Sequence, residues 1–398
     1  MDLLKNSIQP YAWGSRTAIA ELLGEPRPSP LPQAELWMGS HPLAPSRIVR
    51  DGREMSLSDA VKGDPEKEIG PRALAEHGPL LPFLLKVLAA DEPLSLQAHP
   101  DARQARDGFA REEAAGVARD APERNYRDPF PKPELLCALT PFDALCGFRP
   151  AAEALALVDA LGTPALSPVE ERLRRGGSAG LREAFTFLVT LPPAARPPLV
   201  EATVAAAARA RSEPFAEAFA LTGRLAALYP DDPGVVIALL GRLVRLSPGE
   251  ALYLPAGNLH AYLHGVAVEI MASSDNVLRG GLTRKHVDAE ELLRVLRFSE
   301  EPVPLVRPRP GGPGEEVYST PAREFELSRI KVARAGFDVG VAGPEILFCQ
   351  AGEVAALYHS GRLALPRGAS AFVPASTGRY RLEGEGVVFR AALPRAAR

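Results

Sequence analysis

The sequence predicts a mainly β protein interrupted by an α-helical insertion, and three observations carry that expectation. Alternating apolar runs bounded by Pro and Gly recur through residues 1–150 and return from Ala251 onward, as half-buried strands require. Residues 151–246 are instead dominated by Ala, Leu, Arg and Glu, with apolar spacing near 3.6, the helical period. Third, Gly249–Tyr262 (GEALYLPAGNLHAY) matches Gly368–Arg381 (GASAFVPASTGRYR) without a gap, sharing Pro-Ala at 255–256 and 374–375. His260 of the first copy then aligns with Arg379 of the second. The repeat predicts two related β-barrels, of which only the first keeps its ligand.

Individual elements follow from the same patterns. Leu80–Ala90 is apolar on all sides and reads as a buried strand, with one conspicuous charge, Lys86. Residues 102–119 read as a helix, and Leu135–Leu139 and Leu145–Phe148 as strands. Ala202–Ala210 and Phe215–Leu228 are further helices, broken by proline pairs at 192–193 and 197–198. Pro302–Gly314 reads as a linker or surface loop, and residues 317–390 as all-β. The expected organisation is one barrel from 1–150 and 247–300, a helical domain at 151–246, and a second barrel at 301–398 that lacks metal ligands.

Composition removes several classes of function. A chain of 398 residues has room for two or three cores. Its formal charge of −3, with arginines scattered among acids, gives no footprint for nucleic acid or an anionic membrane. No stretch approaches the ~20 apolar residues of a membrane span, and MDLLKNSIQPYAWGS lacks a signal-peptide core. Cys137, Cys146 and Cys349 form neither a disulfide framework nor a metal knuckle, which suits a reducing cytoplasm. A monomer is the default expectation.

The chemistry concentrates in a few places. Alternate strand residues share a face, so Gln97 and His99 in PLSLQAHPD point the same way. Glu134, in KPELL, enters the core, where an unpaired charge is costly, so it needs Lys132 or a metal beside it. His260 follows the Pro255-Ala256-Gly257 turn, and the strand beyond it ends in a polar cluster of Asp275, Asn276 and Arg279. Gln97, His99, Glu134 and His260 are nitrogen and oxygen donors suited to a single Zn²⁺ with one position open. His264 shares a strand face with His260 but lies ~13 Å further along, beyond the same ion. Trp37 and His41, in ELWMGSHP, either pack the core or line a pocket mouth.

YAWGS (11–15), ELWMGSHP (35–42), QAHPD (97–101), KPELLCALTPFDALCGF (132–148) and YLPAGNLHAYLHGVAVEIMASSDNVLRGGLTRKHVD (253–288) together make the chain resemble the type I mannose-6-phosphate isomerases, or phosphomannose isomerases. The resemblance runs to about residue 298 and implies cupin-like (jelly-roll) barrels. It implies zinc on Gln97, His99, Glu134 and His260, an active-site arginine at Arg279, and the motif lysine at Lys132. The implied reaction interconverts mannose 6-phosphate and fructose 6-phosphate through a cis-enediol. In that reading Arg279 stabilises the enediolate and Lys132, Asp275 or a bound water moves the proton. Lys86 and Ser95 contact phosphate or hydroxyls, and Trp13 walls the pocket. Many bacterial members carry His before the motif lysine, whereas this chain has Phe130-Pro131, so that histidine is no proton shuttle here. Two alternatives stay open. One is a zinc-dependent isomerase or epimerase of another sugar phosphate, and the other is a non-catalytic sugar-sensing barrel.

Overall fold

A computed structural model describes residues 1–395. Its organising element is the strand His260–Ala272, which serves two halves of an eleven-stranded sheet. The first half, His260–His264, pairs with Phe142–Phe148 and, at Gln97, with Leu96–Ala98. The second, Gly265–Ala272, lies between Phe83–Ala90 and Glu134–Ala138. Gly265 makes the bend: its φ is +124°, and a Cβ there would stand 2.7 Å from the Pro141 carbonyl oxygen.

The bend folds the sheet over on itself. Leu88, Leu136 and Ala267 from one half share a core with Phe142, Ala144, Val244 and Tyr262 from the other. Period-two alternation then sorts the strand. His260 and Tyr262 face inward, while Ala261 and Leu263 pack under the helices. Those helices, Ala151–Leu161, Ser167–Leu173, Gly177–Val189, Arg196–Arg209 and Ala216–Leu228, cover the outer face of the first half.

A nine-stranded sheet holds the later chain, including Glu326–Val332, Glu345–Tyr358, Ser370–Val373 and Arg379–Ala392, and it recruits Asp2–Leu3 at one edge. The two sheets bury one another through Leu85, Val87, Leu135 and Ile270 on one side and Leu327, Ile346, Phe348 and Phe389 on the other. No helix among the described residues is long and apolar enough to cross a membrane.

Four sequence expectations shift. The helical stretch ends at Leu240, because Gly241–Leu246 pairs with Phe142–Phe148; its alternation outweighs its helix-like composition. The helix expected over 102–119 stops at Ala114, before Gly116 in a left-handed conformation. Pro197 and Pro198 sit in the first turn of Arg196–Arg209, where a missing N–H costs nothing, so they start a helix rather than break one. Pro302–Gly314 contributes short strands at Leu305–Val306 and Arg309–Gly312; the latter lies at a sheet edge, which tolerates Pro310.

The repeat is real in the pairing but not gap-free. Leu254 stands opposite Glu134, and Val373 stands opposite Glu345. Beyond the turn, His260 faces Cys146, whereas Tyr380, not Arg379, faces Tyr358 on the interior side. The second turn is one residue longer and contains a 3₁₀ turn, Ala375–Thr377. One residue of slip flips every side chain to the other face, which puts Arg379 outside. Lys86 pairs with Glu269 in the first copy, and Ser328 pairs with Arg390 in the second. The second interior therefore keeps a carboxylate, Glu345, but the Arg390 guanidinium and the Tyr380 hydroxyl (2.7 Å) engage it.

Candidate metal centre

Three segments bring the donors together. Gln97 lies within strand Leu96–Ala98 and His99 just past its end, and Asp101 caps helix Ala102–Ala114 with a reciprocal bond to Gln104. Lys132-Pro133 leads into Glu134, the first residue of its strand. The Pro255–Gly257 turn returns the chain to His260, and Gly257 N–H donates to the His99 carbonyl at 2.8 Å.

His99 Nε2 stands 3.3 Å from Glu134 Oε1, and His260 Nε2 stands 3.5 Å from Glu134 Oε2, with all three residues buried. The three donor atoms lie within 4.8 Å of one another. Each imidazole spends its other nitrogen on a carbonyl: His99 Nδ1–H donates to Asn276 O (2.8 Å) and His260 Nδ1–H to Asn258 O (3.1 Å). That fixes the tautomers and leaves both Nε2 lone pairs aimed inward, buried and without a hydrogen-bond partner. Such orphaned atoms are costly unless a cation accepts them, so the donor set fits a nitrogen- and oxygen-binding metal such as zinc.

Electrostatics agree. Burial pushes His99 down to about 4, against the pull of Glu134, so the imidazole is neutral. Burial alone favours a protonated Glu134, but the Lys132 ammonium holds it well below the usual carboxylate range. Lys132 Nζ lies 3.0 Å from Glu134 Oε1.

Above the three lies a cleft of about 740 Å³. It is lined by the sequence-predicted residues Trp13, Lys86, Ser95, Gln97, Lys132, Glu134, Asp275 and Arg279, while His99 and His260 sit beneath. Gln97 is the register partner of both His260 and Arg279, so one strand residue ties the donors to the arginine. Lys86 is less free than expected. Its Nζ is 3.1 Å from Glu269 Oε2 and 3.5 Å from Glu35 Oε2, and although burial disfavours the charge, those carboxylates keep it protonated. Tyr262 and Trp37 donate to the same carboxylates, at 2.7 and 2.6 Å.

Sequence reasoning missed part of the cleft. Arg127, Lys285 and Tyr229 also line it. Among the described residues, neither Arg127, Arg279 nor Lys285 has a carboxylate within salt-bridge distance; the three lie near one another, and Arg127 also lies near Asp275. Burial first, then Arg127, depresses Arg279; burial, then Arg279 and Arg127, depresses Lys285. Lys285 stood in the quoted RGGLTRK run, whereas Arg127, in YRDPF, carried no signal of its own.

A bent β-sheet enclosing one His-Glu-His centre, under a cleft with an unneutralised cationic wall, defines a metal-dependent protein for a small anionic ligand. Residues 1–151 match the model of the phosphomannose isomerase type I catalytic domain. The chain is 39% identical to mannose-6-phosphate isomerase of Salmonella typhimurium, covering 98% of this chain and 99% of that one, and 32% identical to mannose-6-phosphate isomerase 1 of Arabidopsis thaliana, covering 94% and 89%. A crystal structure of the Salmonella typhimurium enzyme bound to its substrate fructose 6-phosphate and zinc superposes with a TM-score of 0.92 at 39% identity, covering 99% of this chain and all of that one. The chain belongs to the type I mannose-6-phosphate isomerase family.

Proposed function

We propose that this chain is a zinc-dependent mannose-6-phosphate isomerase. The observation that carries the reading is the pair of orphaned Nε2 atoms flanking Glu134 at the floor of a cleft in which Arg127, Arg279 and Lys285 have no carboxylate within salt-bridge distance among the described residues. His99, Glu134 and His260 would hold the zinc, with Gln97 completing the set. When bound, zinc supplies Lewis acidity toward the sugar oxygens.

The chain's own residues divide the remaining work. Arg127 and Lys285 suit the 6-phosphate, because a dianion relieves the repulsion in their cluster. Arg279 sits on the strand bonded directly to the ligand strand, and we assign it to the negative charge that develops on the sugar oxygens. Lys132 holds Glu134, and Lys86 is committed to Glu35 and Glu269, so both are charged scaffolding rather than free bases. Ser95 is placed to meet a sugar hydroxyl, and Trp13, stacked on Tyr11 at 5.7 Å, to form a wall.

Asp275 is the carboxylate best placed to take the proton. Glu134 serves the metal, Glu35 and Glu269 serve Lys86, and Glu92 is exposed at the cleft margin. The C–H proton beside the carbonyl passes to Asp275, the C–H electron pair forms the enediol double bond, and the carbonyl π pair moves onto its oxygen, which takes the proton of the neighbouring hydroxyl. That second oxygen then becomes the new carbonyl as the double-bond pair takes up the returning proton. Returning the proton to the adjacent carbon regenerates the carboxylate. In architecture we read two cupin-like barrels, one from 1–150 with 241–300 and one from 301–395, and a helical domain at 151–240. A cytoplasmic location fits three buried free cysteines whose thiols burial pushes up to between about 11 and about 12.

The test is product identity. Purified protein offered mannose, glucose and galactose 6-phosphates should convert only the first at a useful rate, giving fructose 6-phosphate. Faster conversion of another hexose phosphate would replace this substrate assignment.

A further inference from the structure

His41 is almost wholly buried, yet it borders the cleft, and both of its nitrogens are accounted for. The Leu43 backbone N–H donates to Nδ1 at 3.4 Å, which makes Nδ1 the acceptor and leaves the proton on Nε2. That Nε2–H points at Asp275 Oδ1, 3.2 Å away. The ring cannot swing off this line. Trp37 meets it edge-on at 4.8 Å, and the turn that carries it is closed by Ala44 N–H to His41 O (3.1 Å) and Ser46 N–H to Gly39 O (2.8 Å).

Asp275 is constrained from its other side as well. Its N–H donates to Asp128 Oδ2 at 2.7 Å, and the carbonyl of the next residue, Asn276, accepts from His99. The backbone of Asp275 is thus tied to the metal centre, while its side chain, about a third exposed, is free to rotate unless something holds it. Within the described residues, the His41 N–H is the side-chain contact that holds it.

We propose that His41 is a positioning residue for the known reaction: its Nε2–H holds one oxygen of the Asp275 carboxylate, so that the other faces the substrate carbon in one rotamer. This rests on the assignment of Asp275 as the proton acceptor. His41 itself takes up no proton. The hydrogen transferred from carbon resides on Asp275 until it returns to the neighbouring carbon, and the His41 hydrogen bond persists throughout. Burial works against an ionised Asp275, and the His41 contact together with the Lys132 and Arg127 charges more than offsets it, in keeping with a carboxylate maintained in its accepting form.

The experiment compares His41→Ala, His41→Gln, Asp275→Asn and the double variant His41→Ala/Asp275→Asn by kcat, KM, bound zinc and thermal midpoint. Gln carries an amide N–H where Nε2–H stands, so it separates the hydrogen bond from ring packing. We expect His41→Ala to lose kcat by about 10- to 100-fold with KM within about twofold and zinc retained. His41→Gln should recover most of that loss, and His41→Ala should cost nothing further in the Asp275→Asn background. If Asp275→Asn is crippled but His41→Ala turns over normally, the positioning role is wrong while the base assignment stands. A His41→Gln variant no better than His41→Ala, or additive losses in the double variant, would also overturn it. Normal turnover in Asp275→Asn would instead remove the underlying assignment.

Discussion

The Nδ1–H of His99 donates to the backbone carbonyl of Asn276 at 2.8 Å, and Asn276 is itself fully buried. Its side chain fastens a second segment: Nδ2 donates to Asp128 O (2.8 Å) and Phe130 O (2.9 Å), and Oδ1 accepts from Arg127 N–H (2.8 Å). One asparagine therefore orients a ligand histidine and pins the loop that delivers both Arg127 and Lys132. Replacing Asn276 with Ala keeps that carbonyl but releases it from the 127–130 loop, and should weaken zinc binding by about 10-fold, as disturbing the groups behind a metal ligand generally does. Competition with a zinc-binding dye measures it, and unchanged affinity would refute the link.

Arg279→Ala should cut turnover by orders of magnitude while zinc stays bound, because the arginine lies beside the ligand strand and is no donor to the metal. Arg279→Lys should recover only part, since a point charge lacks the planar fork. Steady-state rates beside metal analysis decide the matter; near-normal turnover in the alanine variant would remove Arg279 from the chemistry.

The metal-free protein should lose stability as pH falls from about 6.5 toward about 4. His99 is neutral in the fold with its pKa lowered from 6.5 to about 4, so the unfolded chain binds the proton first. Its contribution is fully present above 6.5 and disappears as pH drops through that window. Thermal midpoints of stripped protein across this range should fall more steeply than those of a His99→Gln variant. Parallel slopes would contradict the buried neutral state.

Asp232 joins the helical segment to the cationic wall. Its carboxylate accepts from Gly234 N–H (2.7 Å) and Thr283 N–H (2.9 Å), holding the turn in which buried Leu282 adopts φ +55°. That turn leads directly to Lys285. Asp232→Ala should raise KM several-fold and lower stability by about 1 kcal/mol, the cost of leaving part-buried N–H groups without their partner, with zinc content unchanged. An unaltered KM would disconnect Asp232 from substrate binding.

Much of the centre was legible because its donors are chemically scarce and sit at punctuated positions. A histidine after a Pro-Ala-Gly turn and a glutamate after Lys-Pro stand out, and the structure brings His99, Glu134 and His260 together. Charge balance was not legible. Nothing along the sequence shows that Glu35 and Glu269 enclose Lys86, nor that Arg127 approaches Arg279, because those pairs come from strands and loops far apart in the chain. Fold boundaries failed where composition and alternation disagreed, as at Gly241–Leu246. The displaced repeat failed for a geometric reason: one extra turn residue leaves similarity intact but exchanges Arg379 for Tyr380 on the inner face.

Stepwise return of zinc to chelator-stripped protein, with turnover of mannose 6-phosphate followed at each addition, tests the metal-dependent isomerase most directly. Activity should be absent without metal, rise linearly, and break at about one zinc per chain, as a single His-Glu-His centre requires. Full turnover in the stripped protein, or stoichiometric zinc uptake that brings no turnover, would contradict it.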